Sequence, residues 1–175
     1  MDHKITTPLT AETIQQLKTG DMVKITGIIY SARDAAHKKL IELIEAGKDL
    51  PFELNGNVVY YLGPTPAREG QVIGSAGPTT SSRMDKYTPK LLELGLKGMI
   101  GKGRRSPEVI QAIVENGAVY LAAVGGAGAL LSKCIKSSKV IAFDELGTEA
   151  VREMYVEDFP AIVAIDSEGN NIYKD

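Results

Sequence analysis

The chain contains few of the cysteine and histidine side chains that hold iron–sulfur clusters and zinc, and none of the long apolar runs that cross a bilayer. Its 175 residues include one cysteine, Cys134, two histidines and no tryptophan. A single thiol excludes an internal disulfide, and an iron–sulfur cluster needs about three or four thiolates, so this chain cannot ligate a cluster alone. No apolar stretch approaches the roughly 20 residues of a membrane-spanning helix. We expect Cys134 to be a buried helix residue that packs as a small apolar side chain.

The charges of the chain are nearly balanced. Lys and Arg total 20 and Asp and Glu total 22, which gives a formal net charge of −2. This balance argues against a nucleic-acid or membrane footprint, so any cationic site must be local. The length fits one domain with a sizeable core, and residues 1–4 do not open a signal peptide. We therefore expect a single domain over residues 1–175 in a soluble, cytoplasmic protein.

Alternating apolar patterns predict an α/β fold. The predicted strands cover residues 22–30, 58–62, 72–73, 99–100, 118–124, 139–143 and 161–165. The predicted helices follow Thr10, Asp34, Ser82 and Ser106, and a further helix lies near Ala127. Strands and helices alternate from residue 71 onward, which favours a largely parallel, compact sheet with antiparallel β structure at the ends of the chain.

The helix over residues 107–115 has the clearest ends. Ser106 can cap it, Pro107 suits its first position, and Gly117 suits its end. Its predicted buried stripe consists of Ile110, Ile113 and Val114.

A hydroxyl-rich segment follows a rigid turn and precedes a helical pattern. Its sequence is Gly77-Pro78-Thr79-Thr80-Ser81-Ser82-Arg83. The hydroxyls can cap a helix whose free amides attract an anion, and the guanidinium of Arg83 is a planar fork suited to a carboxylate. The alternative is an ordinary capped turn with a solvated arginine.

Two further cations lie at strand-to-helix junctions, where α/β sheets bind ligands. Arg33 follows the strand over residues 22–30, and Lys102 stands between Gly101 and Gly103 after the strand over residues 99–100. The alternatives are a surface Arg33 paired with an acidic neighbour and a solvated basic loop at Lys102. The segment around Lys102 does not match a Walker phosphate loop.

His37 lies one helical turn beyond Arg33. It could line the same pocket or pack against the flank of the helix, and the sequence leaves both open.

The glycines at positions 125, 126 and 128 do not form a dinucleotide fingerprint, and close helix packing or amides facing a carboxylate explain them better. We interpret Glu145 and Glu149 as helix-end charges. Together, the hydroxyl segment and the cations Arg33, Arg83 and Lys102 predict a small dianion as ligand. Each charge-assisted contact contributes about 1.5–3 kcal/mol, so two or three would hold a four-carbon diacid.

The residue pattern resembles the β subunit, or C-terminal domain, of the class I iron–sulfur fumarases and the related tartrate dehydratases. The carriers are Gly20-Asp21 with Gly27, Ala32-Arg33-Asp34-Ala35-Ala36-His37, Gly77-Pro78-Thr79-Thr80 with Arg83-Met84-Asp85, Gly101-Lys102-Gly103, Gly125-Gly126-Ala127, and Glu145-Leu146-Gly147-Thr148-Glu149-Ala150 before Asp158-Phe159-Pro160. The resemblance spans nearly the whole chain. It implies a swivelling β/β/α domain with a compact mixed sheet and flanking helices.

The resemblance also implies a hydro-lyase activity, the reversible hydration of fumarate to (S)-malate. A separate α subunit would ligate the [4Fe–4S] cluster, with no metal on this chain, and we expect a hetero-oligomer, a dimer of heterodimers being one form. The residues implied to bind substrate are Arg33, Arg83, Lys102, Thr80 and His37, and Thr79 is the implied acid/base group. Arg104 departs from the Asn that often follows the Lys-Gly pair in this family.

Three alternatives remain open. The first is the β subunit of L(+)-tartrate dehydratase or of another 2-hydroxy diacid dehydratase, because the same cations would hold either substrate. The second is a carboxylate-binding module without catalysis. The third is the small subunit of an aconitase-like dehydratase, which the Gly-Pro-Thr-Thr and Lys-Gly loops fit poorly.

Overall fold

The computed structural model describes residues 1–64, 66–124 and 128–173. Within these residues the strands are β1 (Asp2–Thr6), β2 (Met22–Ser31), β3 (Val58–Tyr60), β4 (Gly98–Gly101), β5 (Val119–Ala123), β6 (Ile135–Ala142) and β7 (Val151–Ile165). The α-helices are α1 (Ala11–Gln16), α2 (Asp34–Glu45), α3 (Thr88–Glu93), α4 (Pro107–Asn116) and α5 (Gly128–Ser132), and two 3₁₀ turns cover Ser81–Met84 and Asp144–Glu149. None of the helices described is both long and apolar enough to cross a membrane.

The sheet is mixed and closes on itself. Strands β1 to β5 pair in parallel with their neighbours in chain order. Strand β7 runs antiparallel to β5, β6 and β2, so the pairings among β2, β3, β4, β5 and β7 form a ring. The predicted parallel sheet is therefore confirmed for the first five strands, and β7 adds the antiparallel part.

The ring divides the core into two layers. Val58 and Tyr60 belong to one cluster, together with residues of β2, β5, β7 and α1, and this cluster fills the ring. Val59 and Tyr61 point to the other face, where they pack with residues of α2, α3 and α4. Alternate residues of one strand thus serve both layers, as the pleat of a strand requires. The predicted compact mixed sheet with flanking helices is confirmed.

The predicted ends of α4 are confirmed. The Ser106 Oγ accepts a hydrogen bond from the backbone N of Val109 at 3.3 Å, Pro107 is the first helical residue, and Gly117 ends the helix at φ +62°.

The predicted buried stripe of α4 is partly wrong. Val109, Ala112 and Ile113 are buried, whereas Val114 is 45% exposed. The helix therefore turns the face of Val109 and Ile113, rather than the face of Val114, toward the core. Its packing partners, which are distant in sequence, decide this orientation.

Other elements also differ from the sequence prediction, and among them β7 begins at Val151 rather than at residue 161. Residues 72–73 form no strand, and Val72 is 47% exposed. The segment that follows them contacts α5 instead, where the Ala76 N donates to the Gly128 carbonyl at 3.1 Å. Strand β1 was not predicted, since only Ile5 of its residues is buried and no apolar alternation marks it. Strand β6 begins at the buried Ile135, four residues before the predicted position 139, and the polar residues that follow Ile135 conceal this start in the sequence.

Candidate functional site

The predicted site residues gather at one edge of the sheet. Arg33 follows β2 and Lys102 follows β4, and the parallel strands β2, β3 and β4 place their carboxyl ends at the same edge. The segment over residues 77–83 crosses this edge. Thr79 N donates to the Tyr61 carbonyl at 2.9 Å, and Thr80 forms a β-bridge with Lys102. The structure therefore brings the main-chain segments of Arg33, Arg83, Lys102 and the hydroxyl residues to one edge of the sheet.

Arg33 is placed by a close approach to the main chain after β3. A Cβ atom at Gly63 would lie 2.5 Å from the Arg33 Nη1 and 2.6 Å from its Cδ, so any other residue at this position would shift the Arg33 side chain. Arg33 is half-buried, and its Nε is buried without a hydrogen-bond partner among the described residues. The guanidinium is thus held in place by packing and keeps donor capacity.

Arg83 is oriented by an ion pair with the residue next to Arg33. Its Nε donates to the Asp34 Oδ2 at 2.9 Å, and the Arg83 side chain is 50% exposed. Because Asp34 opens α2, the pair fixes Arg83 beside the start of this helix. The alternative of a fully solvated Arg83 does not hold, and Arg33 is not the partner of Asp34.

Lys102 is exposed at the tip of the loop after β4. Its main chain is fixed, because the Lys102 carbonyl accepts a hydrogen bond from Ser81 N at 2.9 Å. A Cβ at Gly101 would overlap the Ser81 Oγ, so the glycine permits the two segments to touch. The structure therefore holds the backbone of Lys102 and leaves its ammonium group toward solvent.

The prediction of a capped α-helix directly after the hydroxyl segment is wrong. Thr80 precedes a 3₁₀ turn of four residues, Ser81–Met84, and makes no side-chain cap hydrogen bond. Helix α3 begins only at Thr88. The bonds of Ser81 to neighbouring strands and loops fix the segment, so no helix N-terminus builds an anion site here. Thr79 is half-buried and Thr80 is exposed.

His37 is buried below Arg33. Its Nδ1 lies 2.8 Å from the Arg33 carbonyl oxygen, and its ring packs edge-on against Tyr61 at 5.5 Å and near Tyr87 at 5.8 Å. The residue is 1% exposed, and burial lowers the pKa of its imidazole to about 4. Of the two alternatives left open by the sequence, the structure places His37 in the packing position, as a neutral ring that holds the Arg33 main chain.

Gly128 and Glu149 contact the segments that carry the site, whereas Glu145 forms an ion pair with Lys39 of α2 at 3.2 Å. Residues 125–127 lie outside the described residues, but a Cβ at Gly128 would overlap the Ser75 Oγ and lie 2.6 Å from Gly77 N. This glycine therefore allows α5 to pack against the segment that leads to Thr79. The Glu149 Oε1 accepts a hydrogen bond from Ala35 N at 3.2 Å, which caps the start of α2.

Sequence reasoning missed a buried arginine under the loop of Lys102. The side chain of Arg105 has 0% exposure and forms an ion pair with Asp85 at 2.7 Å. Residues 101–105 look like a basic loop in the sequence, and no pattern distinguishes the buried Arg105 from its exposed neighbour Arg104. The Arg-Met-Asp part of the family motif was the available signal, since Asp85 is its last residue.

The described residues do not form a metal site. They include no group of three or more His, Cys, Asp or Glu side chains that could hold a metal ion. Cys134 is half-buried in the turn after α5 rather than inside a helix, and burial raises the pKa of its thiol. The donors among the described residues therefore do not fit an iron–sulfur cluster.

Relatives of known name share this pattern. The chain is 42% identical over 173 residues to the protein of Methanocaldococcus jannaschii named as L(+)-tartrate dehydratase subunit beta, covering 95% of this chain and 89% of that protein. It is 40% identical over 163 residues to the anaerobic class I fumarate hydratase of Escherichia coli K12, covering 92% of this chain and 30% of that enzyme.

A third relative is eukaryotic. Fumarate hydratase 2 of Leishmania major is 40% identical over 162 residues, covering 91% of this chain and 28% of that enzyme. The chain thus spans less than a third of these two fumarate hydratases. The model of the fumarase C-terminus family matches residues 2–175, and the chain belongs to that family.

Proposed function

We propose that this chain is the β subunit of a two-chain hydro-lyase that interconverts fumarate and (S)-malate. The observation that carries the proposal is the meeting of Thr80 with Lys102 in one β-bridge, close to the Arg83–Asp34 ion pair. This arrangement brings three cations and two threonine hydroxyls to one edge of the sheet. It is a half-site for a small dicarboxylate.

The cations suit the two ends of a four-carbon diacid. Arg33 and Arg83 offer planar forks for carboxylates, and Lys102 offers a point charge on a flexible stem. Hydration places a proton on the carbon beside one carboxylate, and negative charge accumulates on that carboxylate in the transition state. Cations fixed around it stabilise this charge more than they stabilise the ground state.

Thr79 is the proposed acid/base group. Its main chain is fixed to the Tyr61 carbonyl, which sets the position of its hydroxyl at the sheet edge. A threonine hydroxyl is a weak base unaided, so we place an activating carboxylate on the partner chain. Thr80 would donate a hydrogen bond to a substrate carboxylate, and His37 would keep Arg33 in place from below.

The remaining half of the site belongs, in this proposal, to a separate α subunit that carries a [4Fe–4S] cluster. Two facts support it. A relative that this chain matches over 89% of its length is named as a subunit beta, and the fumarate hydratases that it matches are more than three times longer than the matched part. Residues 1–175 would then form one domain of the assembled enzyme.

L(+)-tartrate is the second candidate substrate. The observation that favours it is the name of the relative of similar length, a tartrate dehydratase subunit beta. Tartrate carries the same two carboxylates and one more hydroxyl than malate, and the exposed Thr80 could bind that hydroxyl.

The test is reconstitution with the partner. The chain is coexpressed with the candidate α subunit, the complex is purified anaerobically, and fumarate and L(+)-tartrate are assayed in parallel. We expect copurification and faster turnover of the fumarate–malate pair. Faster turnover of tartrate would establish the second candidate, and tight diacid binding by the isolated chain without turnover by the complex would indicate a binding module.

A further inference from the structure

A buried arginine lies beneath the two segments that carry the candidate site, which are the hydroxyl segment over residues 77–83 and the loop that contains Lys102. Arg105 stands between Lys102 and α4, and its side chain has no exposed surface. A buried charge is tolerated only when it is paired and hydrogen-bonded. Here the Nε donates to the Asp85 Oδ1 at 2.7 Å, and the Nη2 donates to the Tyr61 Oη at 3.0 Å and to the Thr88 Oγ1 at 2.9 Å. The guanidinium is thus partnered by Tyr61, which follows β3, by Thr88, the first residue of α3, and by Asp85, which follows the 3₁₀ turn.

Aromatic rings complete the surroundings of this guanidinium. Its carbon lies 5.2 Å from the centre of the Tyr61 ring and 4.8 Å from the centre of the Tyr120 ring. Burial acts to lower the pKa of Arg105, but Tyr61 and Asp85 outweigh it and the pKa is raised. The side chain is therefore charged at every pH at which the protein is folded.

Asp85 links the two segments directly. It follows the 3₁₀ turn that contains Arg83, and its Oδ2 accepts a hydrogen bond from Ser106 N at 2.8 Å while its Oδ1 binds Arg105. Both partners belong to the connection between Lys102 and α4. One carboxylate therefore joins the end of the hydroxyl segment to the end of the lysine loop.

Tyr120 forms a second link. Its Oη lies 2.6 Å from the Ser81 Oγ and 2.8 Å from the Gly103 carbonyl oxygen. Ser81 N also donates to the Lys102 carbonyl at 2.9 Å. The segments thus meet directly through their main chains and are also joined through the side chains of Tyr120, Asp85 and Arg105.

We propose that Arg105 is a positioning residue that, through Asp85 and the rings of Tyr61 and Tyr120, sets the distance of Lys102 from the segment of Thr79 and Arg83. The inference deepens the proposed function and rests on it. Two cations can grip one dianion only if their spacing matches its carboxylates, and an error of about 1 Å can cost about a hundredfold in rate. Arg105 does not reach the ligand itself.

The alternative is a purely structural role, and a pair of variants separates the two. Arg105→Met alone leaves the partly buried carboxylate of Asp85 without its ion-pair partner, which destabilises the fold. The double variant Arg105→Met with Asp85→Asn removes the unpaired charge and keeps an acceptor for Ser106 N. If the pair only stabilises the fold, the double variant regains both stability and ligand binding. If it positions the loops, the double variant regains stability alone.

The experiment has two readouts. In the full chain, NMR measures hydrogen exchange at the Ser81 amide, which donates to Lys102. We expect about tenfold faster exchange in the double variant, with amides of β7 unchanged. In the two-chain complex, we expect KM for the diacid to rise about tenfold or more with a smaller change in kcat, and Arg105→Lys to recover part of it. Arg152→Met, which removes a partly buried arginine on β7, is the matched control and leaves both readouts unchanged.

Unchanged Ser81 exchange in the double variant would overturn the proposal, and so would faster exchange without any change in KM. A wild-type complex that turns over no diacid would instead overturn the proposed function, and the exchange measurement would still report whether Arg105 holds the two segments together.

Discussion

Arg33, Arg83 and Lys102 are constrained to different degrees. Arg33 is packed against Gly63 and has its carbonyl bonded to His37. Arg83 is tethered through one nitrogen to Asp34, and Lys102 is held only by its main chain. Two cations are therefore in place before a ligand arrives, and the flexible lysine can adapt to it. Preorganised charges of this kind cost little reorganisation in the transition state.

Thr79→Ala tests the acid/base role. The change removes the hydroxyl but keeps the backbone bond to Tyr61, so we expect kcat to fall by about 10²- to 10⁴-fold while KM changes little. Thr79→Ser, which keeps a hydroxyl, should restore most of the activity. Steady-state kinetics of the two-chain complex give both numbers. Wild-type turnover by Thr79→Ala would remove Thr79 from the mechanism.

His37 should titrate far below an ordinary histidine. Burial lowers its pKa to about 4 from the ordinary histidine value of about 6.5, so its neutral form is favoured in the folded state. The lowered pKa makes the free energy of unfolding depend on pH. Its contribution of roughly 3 kcal/mol is fully present above about pH 6.5 and is lost as the pH falls toward 4, because the unfolded chain takes up the proton first. NMR of the ring nitrogens, with His3 resolved in the same spectra, measures it directly. A midpoint of His37 near 6.5 would contradict its buried placement.

At the scale of elements, the site depends on close contact between β4 and the segment over residues 77–83. Gly101 ends β4, and a Cβ there would overlap the Ser81 Oγ and lie 2.7 Å from the Tyr61 Cδ2. A side chain at this position must push the hydroxyl segment away from Lys102. The absence of one methyl group thus brings a threonine hydroxyl and a lysine to the same edge.

Gly101→Ala should therefore destabilise the chain by about 1–3 kcal/mol. For a chain of this length each kcal/mol lowers Tm by about 2–4 °C. The matched control is Gly77→Ala in the same neighbourhood, where a Cβ would meet its nearest neighbour at 3.7 Å, an ordinary contact. We expect the Tm of the control to stay close to the wild-type value. Equal Tm values for the two variants would show that β4 does not require this glycine.

Strand ends and helix caps could be read from the sequence, and long-range contacts could not. Arg33 and Lys102 were placed at the site because the apolar strands before them are easy to recognise, and Ser106 and Gly117 mark α4 by local chemistry. The 3₁₀ turn at Ser81–Met84 escaped prediction, since bonds from residues distant in sequence, such as Tyr120, fix its shape. Arg105 escaped for the same reason.

At the scale of the whole molecule, β7 closes the ring that supports the site. It pairs with β2 along most of its length and with β5 near its end. The sequence predicted a largely parallel sheet with antiparallel β structure at the ends of the chain, but no local pattern shows which strands β7 pairs with. The ring fixes the relative positions of β2 and β4, and with them the spacing of Arg33 and Lys102.

The most direct test of the account measures how well the two-chain complex distinguishes a dianion from a monoanion. Succinate and butyrate share a four-carbon chain, differ by one carboxylate and undergo no hydration, so calorimetry can compare their Kd values. Loss of the contact between one cation and one carboxylate weakens the binding free energy by about 1.5–3 kcal/mol, which raises Kd about 10- to 100-fold. Lys38→Met, at an exposed position of α2, is the control for loss of a lysine.

We predict that the wild-type complex binds succinate more tightly than butyrate, that Lys102→Met and Arg83→Met each reduce this preference about tenfold or more, and that Lys38→Met does not. An undiminished preference for succinate in both site variants would contradict the central claim that these cations grip a dicarboxylate.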